Sequence, residues 1–211
     1  MKQLYPDLWQ TPVEMRFGTL RSHAYLLEHR QGRDLIYVPE NVDTHRKIIA
    51  MDGIEHLYLS HNHDIVDTLN DVKSNLSATL TGHYKMDKFF PENLALDLAL
   101  TPDGTETQPS GLEVIYVPGH TDNSTCFRYV SPHGKTYLFV GDIIYPDQGA
   151  WRALVMQSHG GDKHTLTQSL ELLKNIQADV IIPSVGLGDV NPTEMTQPEW
   201  HAALNAAKCS L

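Results

Sequence analysis

Cysteine is scarce in this chain: Cys126 and Cys209 are its only two. One inside an apolar run and one near the last residue build no disulfide framework, so a reducing compartment is expected. Basic residues are outnumbered, 16 Lys and Arg against 26 Asp and Glu, for a formal net charge of -10. No run of Lys and Arg interrupts that excess, and the balance opposes attraction to nucleic-acid phosphates or anionic lipid. Long hydrophobic runs are missing as well. No segment approaches the ~20 apolar residues of a membrane span, and Met1-Lys2-Gln3-Leu4-Tyr5-Pro6-Asp7 lacks an apolar stretch of signal-peptide length. These absences predict a cytoplasmic protein with no nucleic acid and no membrane partner. A homo-oligomer is left open.

What remains is ordinary globular composition, 41% hydrophobic and 20% charged over 211 residues. That length supports one substantial core, and no linker or low-complexity tract divides it, so a single domain over 1–211 is expected. Extended segments open the chain, with Met15, Phe17 and Leu20 and then Ala24 to Leu27; a turn at Gln31-Gly32-Arg33 leads to Asp34–Val38, a hairpin pattern. Val42, His45, Ile48 and Ile49 recur at helical spacing before Asp52-Gly53, a left-handed stop. Ile54–Leu59 reads as a strand, His83–Phe90 as a helix ended by Pro91, and Leu112–Val117 as another strand. Cys126–Val130 and Thr136–Val140 flank a turn. A long loop from Tyr145 to Asp162 precedes a helix with Leu166, Leu170, Leu173 and Ile176 on one face. Val180–Ile182 is a late strand, and Glu199–Lys208 a closing helix with Ala203, Leu204 and Ala207 in its stripe. Strands interspersed with helices predict a layered mixed α/β domain.

Four strand ends share a property. Leu59 leads into His61 and His63, Val117 into His120, Val140 into Asp142, and Ile182 into Ser184-Val185-Gly186. Buried strands deliver side chains rigidly to one rim, which is where such folds place their sites. With 12 His in the chain, chance alone gives about 0.7 His-x-His pairs, so His61/His63 signifies little by itself. In a strand the two rings would share a face. Added to His120 and Asp142, they complete three imidazoles and a carboxylate, a set that zinc or a similar divalent ion accepts with room for water.

At these residues the chain resembles the metallo-β-lactamase-fold superfamily. His61-Asn62-His63 after a strand, Pro118-Gly119-His120-Thr121, Gly141-Asp142 after a hairpin strand and Ile181-Ile182-Pro183-Ser184-Val185-Gly186 carry the resemblance in order and spacing. It implies an α/β (α+β) fold, the four-layer α-β-β-α sandwich of the metallo-β-lactamase type. The departures are informative. Where the family's first motif, His-x-His-x-Asp-His, has Asp and the last His, this chain has Ile65 and Val66; the family's final histidine falls on Val185. In dinuclear members those three positions bind only the second metal. The positions matching the first metal's ligands are His61, His63 and His120, and the bridging aspartate matches Asp142.

The losses fall on one site and spare the other, which unselected decay has no reason to do. The resemblance therefore implies one divalent metal ion, zinc first and iron as the competitor, and hydrolysis of a small ester, thioester or amide. Proton transfer falls to Asp142, Asp64 or a loop histidine, His159 or His164. Asp67 is read as a surface acid or helix cap rather than a replacement ligand. Trp151, Arg152 and His159 on the long loop are the expected substrate contacts, with Arg152 suited to an anionic group. Two other readings stand beside this one. The first is a non-catalytic ligand-binding or regulatory pseudoenzyme of the same fold. The second is a mononuclear iron oxygenase resembling the persulfide dioxygenases, whose second-site positions look intact where this chain has Ile65 and Val66.

Overall fold

The computed structural model describes residues 1–188 and 190–211, and side chains other than those of residues 15–17. The apolar pattern expected of Met15 and Phe17 thus lies outside the described residues. The chain divides into two compact units, residues 1–14 with 23–101, and residues 15–22 with 102–211.

The first unit begins with β1 (Lys2–Tyr5) and β2 (Leu8–Gln10); β3 (Glu14–Phe17) and β4 (Leu20–Ser22) then lead the chain into the second unit. The first unit resumes with β5 (Tyr25–His29), β6 (Gly32–Ile36), helix α1 (Val42–Ile49), β7 (His56–Tyr58), α2 (Leu69–Leu76), β8 (Thr79–His83) and β9 (Leu98–Leu100). Its seven strands lie in the order β1-β2-β5-β6-β7-β8-β9. Strands β5 and β6 form the expected hairpin, and from β6 onward the pairs are parallel. Parallel neighbours need crossover connections; α1 lies in the one from β6 to β7, α2 in the one from β7 to β8, and a 3-10 helix in the one from β8 to β9. Leu26, Leu35, Leu57 and Leu80 stand opposite one another in register across four strands, all fully buried. That row fixes the register, because a one-residue slip would turn every leucine to the other face.

Helix α1 starts where Asn41 Oδ1 accepts from the Asp43 amide at 2.8 Å, and it stops at Asp52 (φ 68°) and Gly53 (φ 74°). The sequence pattern had placed that left-handed stop correctly. The segment after β8 differs from expectation. Tyr84–Phe89 is a 3-10 helix rather than an α-helix, six residues between the His83 and Phe90 caps being too few to settle into α turns.

The second unit contains β10 (Thr105–Thr107), β11 (Glu113–Tyr116), β12 (Thr125–Val130), β13 (Thr136–Gly141), β14 (Tyr145–Asp147), β15 (Ala150–Arg152), α3 (Lys163–Leu173), β16 (Val180–Pro183), β17 (Val185–Gly186), β18 (Thr193–Glu194) and α4 (Gln197–Cys209). Its main sheet runs β10-β11-β12-β13-β16-β18, antiparallel except between β13 and β16. Ile115, Val117, Cys126, Leu138, Val140 and Ile181 meet Leu166, Leu170 and Leu173 of α3 and Trp200, Leu204 and Ala207 of α4 in one core. Both helical stripes read from the sequence face that core, and Ile176 packs against its edge.

The residues from Tyr145 to Asp162 are more ordered than a loop. They hold the β14–β15 hairpin and a short 3-10 turn, Gln157–His159. Three-residue strands broken by Pro146 and Gly149 carry too short a period to show in a sequence. Among the described residues, no helix is long and apolar enough to cross a membrane.

Candidate functional site

In the first unit, β7 ends at Tyr58 and the chain stays pinned for one more residue by the Leu59 amide on Thr81 O. His61 is extended (φ -168°, ψ 177°), and a 3-10 turn over Asn62–Asp64 follows. His63 therefore lies in a turn just past the strand end, where the sequence pattern put it. The turn still brings the two imidazoles together, ring centres 4.7 Å apart and planes at 71°.

Behind His61 sits a buried polar relay. Asp64, 2% exposed, accepts from the Ser60 amide at 2.7 Å and from the Ser60 hydroxyl at 2.8 Å, both on Oδ2. Ser60 Oγ is also 2.9 Å from His61 Nδ1. A hydroxyl has one proton to give, and here it goes to the carboxylate. Ser60 must therefore accept from His61 Nδ1–H, which leaves the lone pair of a neutral imidazole on Nε2. Ile65 and Val66 follow, partly buried, and Asp67 is exposed.

In the second unit, the Pro118-Gly119-His120 turn leaves β11 and is clamped on all sides. Ser169 Oγ donates to Pro118 O at 2.6 Å, the Asp162 amide to Gly119 O at 2.9 Å, and the Met156 amide to His120 O at 2.9 Å. Gly119 has φ 131°, and a Cβ there would stand 2.3 Å from the backbone of Leu166. Only glycine lets the turn sit that close to α3. His120 is 2% exposed, and its Nδ1 lies 2.8 Å from Leu154 O. A carbonyl only accepts, so Nδ1 carries the proton and Nε2 the lone pair, as in His61.

Asp142 follows the last residue of β13. The parallel β13–β16 pair sets Gly141 opposite Pro183, and the Ser184 hydroxyl donates a short hydrogen bond to Asp142 Oδ1. His120 and Asp142 share a cavity of about 250 Å³ with Leu20, Tyr145, Leu154, Val185 and Leu187. Val185, in the place of the family's last histidine, is thus part of an apolar wall.

The remaining expected residues are placed as follows. Trp151 is partly buried against the core of the second unit. Arg152 donates from Nε to Asp147 Oδ2 at 2.6 Å across the β14–β15 hairpin. The His159 carbonyl accepts from the Asp122 amide, and its ring meets Ser158 Oγ at 3.0 Å. His164 is exposed on α3 beside Gln168. His83 caps the 3-10 helix, accepting from the Lys85 amide. Sequence reasoning overlooked Ser60 and Leu154, and named Ser184 at a strand end without giving it a role. A serine directly before the first histidine and another after Pro183 were the available signals; the Leu154 carbonyl left none, because a backbone acceptor belongs to any residue type.

Protein-family models give no match, and no curated protein matches the chain. Solved structures do. A metallo-β-lactamase from Pontibacter korlensis is 18% identical with a TM-score of 0.73, over 99% of this chain and 96% of that one. The metallo-β-lactamase FIM-1 from Pseudomonas aeruginosa, in its mono-zinc form, is 17% identical at 0.73, over 100% and 95%. An archaeal superfamily protein from Sulfolobus tokodaii, ST1585, gives 14% and 0.68, over 94% and 85%. The chain has the metallo-β-lactamase fold. Its mixed α/β architecture, with several sheets and four α-helices among the described residues, is the one the resemblance implied.

Proposed function

We propose that His61, His63, His120 and Asp142 together hold one divalent cation, zinc first and iron second. On this reading the protein is a cytoplasmic hydrolase of a small ester, thioester or amide. The observation that carries the proposal is the shared tautomer of His61 and His120: each has Nδ1 committed to an oxygen acceptor, which leaves the basic lone pair on Nε2. Metal-binding histidines characteristically donate their other ring N–H in this way, which fixes the ring and raises its basicity. Three imidazoles and a carboxylate also fit the chemistry of the ion.

A divalent cation there would supply Lewis-acid polarisation of a carbonyl group. The chain's own residues do the rest. Ser184 holds Asp142 through Oδ1, which makes Asp142 an orientated carboxylate and our candidate for proton transfer. Asp64 acts through Ser60 as a positioning residue for His61. Two facts support one metal rather than two. Ile65, Val66 and Val185 offer no donor where dinuclear relatives have ligands, and a second cation would lose hydration against Val185 without compensation. The Pseudomonas aeruginosa protein, of the same fold, has a mono-zinc form, which supports the reading.

Metal analysis of protein purified without chelator tests the reading. About one equivalent of zinc or iron, lost in His120→Ala, is expected. No uptake under any loading condition would sink the proposal, and two tightly held equivalents would overturn its mononuclear part.

A further inference from the structure

We propose that the cavity beside His120 and Asp142 receives a compact, uncharged, apolar group carried next to the scissile carbonyl, of roughly the size of a phenyl ring with a short alkyl link. This specificity rests on the hydrolase reading above. It is argued from the described residues that line the cavity, all of which belong to the second unit.

The first argument is composition. Leu20, Leu154, Val185 and Leu187 contribute aliphatic surface, and Tyr145 adds a ring. No lysine or arginine is among the described residues lining the cavity. Arg152, the expected anion contact, is held by Asp147. Away from the cation proposed at His120 and Asp142, a carboxylate or phosphate placed against this wall would give up water without gaining a cationic side chain, whereas an apolar group gains by leaving water. Leu154 is 47% exposed, so a large apolar side chain of the wall is still open to solvent for a ligand to cover.

The second argument is construction. The wall is made of paired strands. Val185 stands opposite Ser22 in the antiparallel β17–β4 pair, and Leu187 bridges to Asp147 while its amide donates to Pro146 O at 2.9 Å. A Cβ on Gly186 would lie 2.8 Å from the Pro146 ring, so the chain between Val185 and Leu187 is pressed directly on β14. Such a wall is set before a ligand arrives, which spares the ligand the cost of ordering it.

The third argument is size. A dry aliphatic cavity of about 150 Å³ holds benzene. The cavity here, at about 250 Å³, leaves room for a ring and a short link to the carbonyl.

The test uses the full chain, as purified and again after chelation, titrated with acetamide, phenylacetamide and 4-carboxyphenylacetamide while the methyl NMR signals are followed. Phenylacetamide is expected to bind at least tenfold tighter than acetamide in both forms and to shift the methyls of Leu20, Leu154, Val185 and Leu187. The carboxylated probe should lose at least tenfold against phenylacetamide. Leu154→Asp should weaken phenylacetamide at least tenfold; its exposed site tolerates the change, and its carbonyl still serves His120. Equal binding of acetamide and phenylacetamide, preference for the carboxylated probe, or indifference to Leu154→Asp overturns the inference. Metal uptake with equal binding of the two neutral amides would leave the hydrolase reading standing and remove this specificity. Preferential binding of phenylacetamide to a chain that never takes up metal would do the reverse.

Discussion

The Ser60 hydroxyl donates to Asp64 Oδ2 at 2.8 Å, and the Ser60 amide donates to the same oxygen at 2.7 Å. This double anchor leaves the Ser60 oxygen lone pairs for His61 and so determines which imidazole nitrogen is basic. Ser60→Ala and Asp64→Asn should therefore weaken metal binding by about 10- to 100-fold, the range found when outer partners of ligating histidines are removed. Competition with a chelator of known affinity measures the loss. Circular dichroism should show the fold retained. Unchanged affinity in both variants would mean that His61 needs no partner.

Gly119 offers a harsher perturbation of the second histidine. An added methyl would overlap Leu166 backbone atoms at 2.3 Å, and φ 131° is a conformation that alanine avoids. Neither the turn nor the start of α3 can yield easily, since Asp162 and Ser169 hold the turn through Gly119 O and Pro118 O. We expect Gly119→Ala to cost about 3 kcal/mol or more, by combined overpacking and backbone strain. It should also lower metal occupancy by displacing His120. Urea unfolding and metal analysis on the same sample check both.

How much of this could be read in the sequence depends on the kind of contact. His61, His63, His120 and Asp142 stood out because each follows an apolar strand, and strands announce themselves by composition. The Leu166–Leu173 and Ala203–Ala207 stripes were legible for the same reason: burial writes a period into the sequence. The relay behind His61 was not. Asp64 read as a candidate for proton transfer, because a 3-10 turn, invisible in so short a segment, is what returns its carboxylate to Ser60. Nor could the sequence say that Arg152 is taken up by Asp147, five residues away across a hairpin hidden by Pro146 and Gly149.

Acid sensitivity should enter through the helices of the second unit. Glu171 accepts from Lys174 at 2.8 Å and from Lys208 at 2.6 Å, and these bonds hold its carboxyl down at about 2, against an ordinary 4.5. Hydrogen bonds at the starts of α3 and α4 also lower Asp162 and Glu199. Each of these carboxylates binds protons less readily folded than unfolded. Their stabilisation is then complete above the ordinary carboxylate range and lost as pH falls through it, for Glu171 from 4.5 toward about 2. Carbon-detected NMR titration should find the Glu171 midpoint near 2. In Lys208→Ala, with one of its two partners gone, the midpoint should rise toward 4.5. A midpoint that stays put would show that Lys208 does not reach Glu171 in solution.

Val185 gives the most direct test of why one half of the site is apolar. It is 6% exposed and shares a cavity with His120 and Asp142. Val185→His would add a third ligand-type side chain to that cavity and remove part of its aliphatic wall. Two changes are expected together. Metal uptake at high zinc should rise above one equivalent, with the added ion bound more weakly than the first because Ile65 and Val66 still offer it nothing. Affinity for neutral apolar probes should fall, since an imidazole buried beside the ligand demands hydration or a partner. Equilibrium dialysis against graded zinc, followed by the phenylacetamide titration, measures both on one protein. If uptake stays at one equivalent while probe binding falls, the wall serves substrate alone. If uptake rises and probe binding is untouched, the valine acts only to exclude a second cation.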